Sequence, residues 1–133
     1  MDGRDAAMID AVRRSYEAFN RGDFDAAAEL AHPEVEFVPP GGGASLRGAA
    51  AWRAWMEPDA FEEQRFEPLE FRVEGNKVLV RQHTRGRGVG SGFNLDLELW
   101  TVWTFDDDLL VTRLETYLPH QESEALEAAG LRE

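Results

Sequence analysis

The chain has 133 residues, a formal net charge of −12 and no cysteine. These properties fit one domain over residues 1–133 and exclude disulfides, thiolate metal sites and cysteine nucleophiles. The negative charge disfavours nucleic acid and anionic lipid as partners, because both require a basic surface that displaces counterions. No apolar run is long enough to span a membrane and no charged-then-apolar leader opens the chain, so we expect a cytoplasmic protein.

Periodic apolar residues predict two helices near the start of the sequence. The first helix is expected over residues 5–20, and its apolar stripe consists of Met8, Ile9, Val12, Tyr16 and Phe19. Gly22 ends this helix, and Asp23 is a suitable N-cap for a second helix that carries the apolar residues from 24 to 31.

A short strand and a third helix come next. Pro33 cannot continue the second helix, so residues 35–38 are predicted to form a strand. After a loop of prolines and glycines, residues 49–56 are predicted to form a helix with Trp52, Trp55 and Met56 on one side.

From Phe66 onward, apolar and polar residues alternate with the period of half-buried strands. Strands are expected over residues 66–73, 78–85, 93–105 and 109–118, and a short closing helix over residues 122–129. Helices that come first and antiparallel strands that follow indicate an α+β domain with helices packed on one face of a curved sheet.

The glycine-rich connection over residues 86–92 is predicted to be a flexible hairpin loop. A phosphate cradle would need a helix N-terminus after the glycines, and here a strand follows. The three histidines are far apart in sequence, and Asp106 to Asp108 fit an ordinary turn. We therefore expect no metal site and no cofactor. The sequence has no nucleophile elbow, so any catalysis would be acid–base or electrostatic.

Two polar features leave alternatives open. Thr101 is the one polar residue in an apolar row, so its hydroxyl either bonds a neighbour or points into a wetter cavity, unless the residue simply suits a strand. The strand over residues 81–85 is too polar for a dry core, and it is either solvated or part of a pocket wall.

Several segments together resemble a known superfamily. A tyrosine-bearing helix, the break N-R-G-D, a second helix and then H-P-E-V-E-F are similar to the SnoaL-like branch of the nuclear transport factor 2-like superfamily. Later segments agree, namely L-R-G at residues 46–48, V-W-T-F at 102–105 and R-L-E-T-Y at 113–117. The resemblance implies a cone-shaped α+β barrel, with three N-terminal helices packed on a strongly curved, mostly antiparallel sheet. A ligand cavity would lie inside the cone.

The resemblance carries some functional residues over and not others. Tyr16 falls where the related ketosteroid isomerase has its oxyanion-stabilising tyrosine. Val38 and Thr101 fall where that enzyme has its two aspartates, so steroid isomerase activity is not implied. SnoaL-type cyclases use an aspartate on the last strand, where this chain has Thr116 beside Glu115. A one-residue bulge would exchange which of the two side chains faces inward.

We therefore expect a small, largely apolar organic molecule to bind in the cone, with cofactor-independent acid–base chemistry of isomerase, cyclase or dehydratase type as one outcome. The candidate catalytic residues are Glu115 or His83 as proton carrier and Tyr16 as hydrogen-bond donor. The candidate ligand-binding residues are Phe37, Trp52, Trp55, Arg81, Leu99, Thr101 and Trp103. For Glu115 the alternative is an ion pair with Arg81 or Arg113 on the outer face of the sheet.

The alternative functions are a binding protein without catalysis and a dimeric interaction module. Trp100 lies on the nominally exposed face of its strand, among polar residues. A tryptophan at such a position favours a covering surface, so we expect a homodimer that buries Trp100.

Overall fold

The computed structural model describes residues 3–39, 44–56, 61–88 and 94–131. The helices in these segments are α1 (Gly3–Asn20), α2 (Phe24–Ala28), α3 (Ala49–Met56) and α4 (Glu122–Ala128), with a 3-10 turn at Pro119–Gln121. The strands are β1 (Ala31–Val38), β2 (Leu46–Arg47), β3 (Phe61–Glu74), β4 (Lys77–Gly88), β5 (Asn94–Phe105) and β6 (Val111–Tyr117).

The six strands form one curved sheet in the order β2-β1-β6-β5-β4-β3. Strands β1 and β6 are parallel, and the other neighbouring strands are antiparallel. Helices α1 to α3 contribute to the main apolar core, and α4 packs with a second, smaller cluster that includes Leu79 and Val102. The α+β class and the mostly antiparallel curved sheet predicted from the sequence are confirmed.

Local sequence signals explain how the first two helices end and begin. The apolar stripe of α1 is buried at Met8, Val12, Tyr16 and Phe19, as its periodicity predicts. Gly22 follows α1 with a φ of 80°, a conformation that glycine adopts without strain. The Asp23 side chain accepts a hydrogen bond from the Ala26 N–H at 3.1 Å, which is the predicted N-cap.

The end of α2 and the start of β1 differ from the prediction. Helix α2 ends at Ala28, and β1 already begins at Ala31 and runs through Pro33. Proline is tolerated there because the pairing of β1 with β6 is irregular between Ala31 and Glu36, so no regular ladder bond from residue 33 is lost.

Strand β4 also extends beyond its predicted end and includes Gly86 and Gly88. Gly86 pairs with Leu95 of β5, so the first part of the predicted flexible loop is a continuation of the hairpin ladder. The rest of that loop, with Phe93, lies outside the described residues. Strand β3 begins at Phe61, earlier than the predicted start at Phe66, because it pairs with this extension of β4.

The alternation along β4 separates the two faces of the sheet. Val78, Val80, Gln82 and Thr84 are buried on the face that we call inner, which packs against α1 and α3. The residues between them, from Leu79 to Arg85, point to the outer face, where α4 covers one end around Leu79. The inner face carries the candidate functional site.

Candidate functional site

A cavity lies between the inner face of the sheet and helices α1 and α3. Its empty space, including the part open to solvent, is about 520 Å³. The residues that line it are Ser15, Tyr16, Phe19, Phe37, Trp52, Trp55, Phe66, Gln82, Leu99, Thr101, Trp103, Leu114 and Thr116. An apolar lining with a few polar groups is typical of small-molecule sites.

The secondary structure explains why these side chains converge. Leu99, Thr101 and Trp103 are alternate residues of β5, so all three point to one face. Leu114 and Thr116 of β6 lie opposite Trp103 and Thr101, respectively. The helices supply the remaining sides of the cavity.

Aromatic rings form one wall of the cavity. The ring centroid of Trp103 lies 5.8 Å from that of Tyr16 and 5.9 Å from that of Trp52. The Phe37 and Trp55 centroids are 4.6 Å apart, and Trp55 is 43 % exposed. Trp55 therefore has one face toward the cavity and part of its surface in solvent, while Trp52 and Trp103 are buried. Planar apolar molecules match such a wall because aromatic rings favour tilted and offset contacts.

A chain of hydrogen bonds crosses the inner face of the sheet. The Tyr16 hydroxyl donates to Gln82 Oε1 and lies 3.1 Å from Thr101 Oγ1. The Trp103 indole N–H donates to Thr101 Oγ1 at 2.9 Å. Gln82 Nε2 donates to Thr84 Oγ1 at 3.0 Å. We call Tyr16, Gln82, Thr84, Thr101 and Trp103 the inner polar cluster.

Tyr16 is the only side chain with an ionisable group among the described residues that line the cavity. Burial raises the pKa of its phenol above the ordinary value of 10.0, and hydrogen bonds with Thr101 and Trp103 oppose that rise. The phenol is therefore neutral at physiological pH. The cavity can orient and polarise a ligand through hydrogen bonds, but its described lining has no carboxylate or imidazole to take up a proton.

Seven of the predicted site residues lie together in this cavity. They are Tyr16, Phe37, Trp52, Trp55, Leu99, Thr101 and Trp103. The alternatives left open for Thr101 reduce to one geometry: its hydroxyl both bonds neighbours and lies at the cavity.

The other three predicted site residues lie outside the cavity, and two of them are on β4. Arg81 forms ion pairs with Glu70 and Glu98, and His83 Nε2 contacts Asp96 Oδ1. The hydrogen bond with His83 lowers the pKa of Asp96 below its ordinary value. Since odd-numbered residues of β4 point to the outer face, the strand over residues 81–85 is solvated on one face and a pocket wall on the other.

Glu115 is the third of these residues, and it too lies on the outer face. The pairing of β5 with β6 is regular from Trp100 to Thr104, without a bulge at Glu115, so Thr116 faces Thr101 and Glu115 lies opposite Val102. Glu115 accepts a hydrogen bond from the Tyr117 hydroxyl at 2.7 Å and lies 3.3 Å from Arg113 Nε. The expectation that Glu115 or His83 shares the cavity with Tyr16 is thus not met, and Arg113 is the ion-pair partner of Glu115.

Sequence reasoning missed Gln82 as a member of the site. Gln82 lies among charged residues in the stretch 81–85, so the sequence analysis treated all five residues alike and did not separate the two faces of the strand. The signal that could have found it is the alternation of β4, because Gln82 shares a face with the apolar Val78 and Val80. A polar side chain on an otherwise apolar inner face is a candidate for a buried hydrogen-bond network.

Two further observations concern what the described parts of the chain can bind. Within the described ranges given above, no group of three or more histidine or acidic side chains is placed to hold a metal ion. None of the helices in those ranges combines the length and apolar character needed to cross a membrane.

Comparison with known proteins identifies the family of the chain. The SnoaL-like domain family matches residues 12–113, which is most of the chain, so the protein belongs to that family. The chain is 35% identical over 92 residues to the aklanonic acid methyl ester cyclase DnrD of Streptomyces peucetius. It is 37% identical over 88 residues to the corresponding cyclase AcmA of Streptomyces galilaeus.

These sequence matches are partial. They cover 65% of this chain and 62% of the Streptomyces peucetius protein, and 62% of this chain and 60% of the Streptomyces galilaeus protein. The chain thus spans less than two thirds of the length of these curated relatives.

A solved structure with the same fold is SalBIII, an epoxide hydrolase/cyclase-like enzyme with a role in pyran ring formation in the polyether salinomycin. It superposes with a TM-score of 0.77 at 18% identity and covers 85% of this chain and 91% of SalBIII. This likeness confirms the cone fold.

Proposed function

We propose that the protein binds a small, largely apolar organic molecule of polyketide type in the cavity and promotes its cyclisation. The observation that carries this proposal is a cavity with an aromatic wall, in which Tyr16, Gln82 and Thr101 are joined by hydrogen bonds. The curated relatives with about one third identity are both named as cyclases, which supports this class of chemistry. We assign the function to a single domain over residues 1–133.

The proposed chemistry relies on orientation and on hydrogen bonds rather than on a carboxylate base. Tyr16 is the one predicted catalytic residue in the cavity, and its phenol stays protonated, so it acts as a hydrogen-bonding group. Holding two reacting parts of a flexible chain in contact removes a large part of an entropic barrier. Glu115 and His83 are not assigned a role in this cavity, because their side chains lie on the other face of the sheet.

A non-catalytic binding protein is the second candidate. It is favoured by the lack of any group among the described lining residues that titrates near neutrality. Both candidate functions require a ligand that binds in the cavity. They differ in whether the protein also converts the bound ligand into a product.

Binding in the cavity can be tested with a substitution that fills the cavity with a larger side chain. Thr116→Phe places a ring in the space opposite Thr101, and Thr112→Phe is the matched control on the same strand, because Thr112 does not line the cavity. We expect a planar hydroxyanthraquinone to quench the tryptophan fluorescence of the unmodified protein. We expect at least about tenfold weaker binding to Thr116→Phe and unchanged binding to Thr112→Phe. Equal binding to both variants would refute the cavity as the site.

We also propose that two copies of the chain associate through the outer face of the sheet around Trp100. This side chain is half-buried and packs beside the cluster of Leu79, Val102 and α4. Tyr117 lies directly opposite Trp100 on β6, so two large amphipathic side chains adjoin on this face. Aromatic residues of this kind are enriched at interfaces between protein chains.

A further inference from the structure

The two ends of the cavity differ in polarity and in exposure. One end is formed by Tyr16, Gln82 and Thr101, which are joined by hydrogen bonds and are each no more than 4% exposed. Trp55 lines the same cavity but is 43% exposed. The hydrogen-bonded groups therefore lie at the closed end of the cavity, and Trp55 lies at the mouth, where the cavity meets solvent.

A row of aromatic rings connects the closed end to the mouth. The ring of Trp103 contacts those of Tyr16 and Trp52, with centroid distances of 5.8 Å and 5.9 Å. Trp55 follows Trp52 by three residues on α3, so the two side chains lie on the same side of the helix, about one turn apart. A ligand that lies along this row can therefore contact aromatic surface from the polar end to the mouth.

Phe37 supports the ring of Trp55 from the protein side. Phe37 is only 2% exposed, and the two ring centroids are 4.6 Å apart with their planes tilted by 55°. Among the residues that the structure describes, the large apolar side chains that remain exposed are Trp55 and Leu69. Leu69 does not line this cavity. Trp55 thus presents an exposed aromatic surface that is continuous with the wall of a ligand cavity.

From this arrangement we infer that Trp55 is a specificity-determining residue that selects extended ring systems over smaller ligands with the same polar group. The inference rests on the proposed function, since it concerns the ligand of the same cavity. The ligand binds with its hydroxyl or ketone edge toward Tyr16, Gln82 and Thr101. Its far ring covers the exposed surface of Trp55, which removes apolar area from water and adds an aromatic contact. A smaller ligand with the same polar edge does not reach Trp55.

The opposite orientation of the ligand would leave a hydrogen-bonding group without a partner. Gln82 donates one amide N–H to Thr84, so its second N–H has no partner within the inner polar cluster. An apolar ring placed at the closed end would leave that N–H unbonded, whereas a ketone oxygen can accept from it. The polar edge of the ligand is therefore expected at the closed end and the apolar ring at Trp55.

The test compares two probes that share a hydroxyl group beside a ketone, 8-hydroxy-1-tetralone and the longer 1-hydroxyanthraquinone. The anthraquinone is titrated by tryptophan fluorescence, and the tetralone is measured by competition with it. For the unmodified protein we expect the anthraquinone to bind at least about tenfold more tightly. Trp55→Ala should reduce this ratio by about three- to tenfold, because only the longer probe loses an aromatic contact. Alanine is favourable in a helix, so the variant is expected to fold.

Two further variants make the result decisive. Leu69→Ala removes a similarly exposed apolar side chain outside the cavity, and it should leave both dissociation constants unchanged. Tyr16→Phe alters the closed end, which both probes contact in the same way, so it should leave their ratio unchanged. An unchanged ratio in Trp55→Ala, or an equal fall of the ratio in Tyr16→Phe, would overturn the inference alone. If neither probe binds the folded protein, the proposed function is refuted together with it.

Discussion

Tyr16 connects the first helix to three residues of the sheet through a single oxygen and a single ring. Its hydroxyl contacts Gln82 of β4 and Thr101 of β5, and its ring packs against Trp103. A leucine at this position would fill the same space in the apolar stripe of α1. It would, however, leave the buried Gln82 oxygen without its partner, which typically costs about 1–3 kcal/mol. The tyrosine is therefore part of the packing and part of the site.

The first prediction concerns the ionisation of the two tyrosines, Tyr16 and Tyr117. Burial raises the pKa of both phenols above 10.0, and for Tyr117 the hydrogen bond to Glu115 adds to the rise. The folded protein thus favours the protonated phenols. Their contribution to stability is full below the ordinary pKa and is lost as the pH rises through the higher folded pKa. We expect little phenolate absorbance at pH 10 and a free energy of unfolding that falls above that pH.

Spectrophotometric titration alongside circular dichroism checks this prediction. Phenolate should form together with the loss of folded signal, and Tyr16→Phe should make the fall of stability with pH less steep. Half-ionised tyrosines at pH 10 in a fully folded protein would contradict it.

At the scale of elements, the start of α3 determines where Trp52 and Trp55 lie. Gly48 precedes this helix with a φ of 103°, and its N–H donates to the Val35 carbonyl of β1 at 2.7 Å. The Trp52 N–H in turn donates to the Gly48 carbonyl at 3.1 Å. The glycine thus joins the strand that carries Phe37 to the helix that carries the tryptophans.

We predict that Gly48→Ala lowers the free energy of unfolding by about 1–3 kcal/mol, because a side chain at this φ strains the backbone. Denaturant unfolding measures the change. Gly3→Ala is the control: Gly3 lies in α1 with open space around it, so the same replacement should be neutral within about 0.5 kcal/mol. Equal effects of the two substitutions would contradict a conformational role for Gly48.

The sequence alone was sufficient to predict the elements whose apolar pattern is local and repeated. The stripe of α1 and the alternation of β5 predicted both their type and the face that each presents. The sequence was insufficient to predict the features that depend on pairing with another strand. Glu115 and Thr116 differ by one residue, so only the regular pairing with β5 decides that Thr116 faces the cavity. The start of β1 before Pro33 likewise follows from pairing with β6, which no local pattern shows.

At the scale of the whole molecule, the charge of −12 opposes association of two identical chains. On the outer face, the positive Arg81 pairs with Glu70 and with Glu98, so part of the negative charge there is neutralised. A homodimer through this face would therefore bring together surfaces whose negative charge is partly neutralised, while the rest of each chain repels its partner.

The prediction for the dimer concerns Trp100. Light scattering at micromolar concentration should give twice the mass of one chain, and Trp100→Glu should shift the protein to the monomer. Added salt should strengthen the unmodified dimer, because it screens the repulsion between the two negative chains. Trp55→Glu is the matched control, since this exposed tryptophan lies at the cavity on the other side of the sheet. A monomeric unmodified protein, or dissociation by Trp55→Glu alone, would contradict the proposed interface.

The one parallel pairing in the sheet has a consequence for how the protein is made. Strand β1 lies between β2 and β6, and Ala31 pairs with Val111 near the other end of the chain. During synthesis, the strand that carries Phe37 leaves the ribosome long before its main neighbour exists. Because the part of the cavity wall that joins Phe37 to Leu114 requires both strands, this part of the wall cannot form before β6 has emerged. The binding cavity is therefore among the last features of the molecule to close.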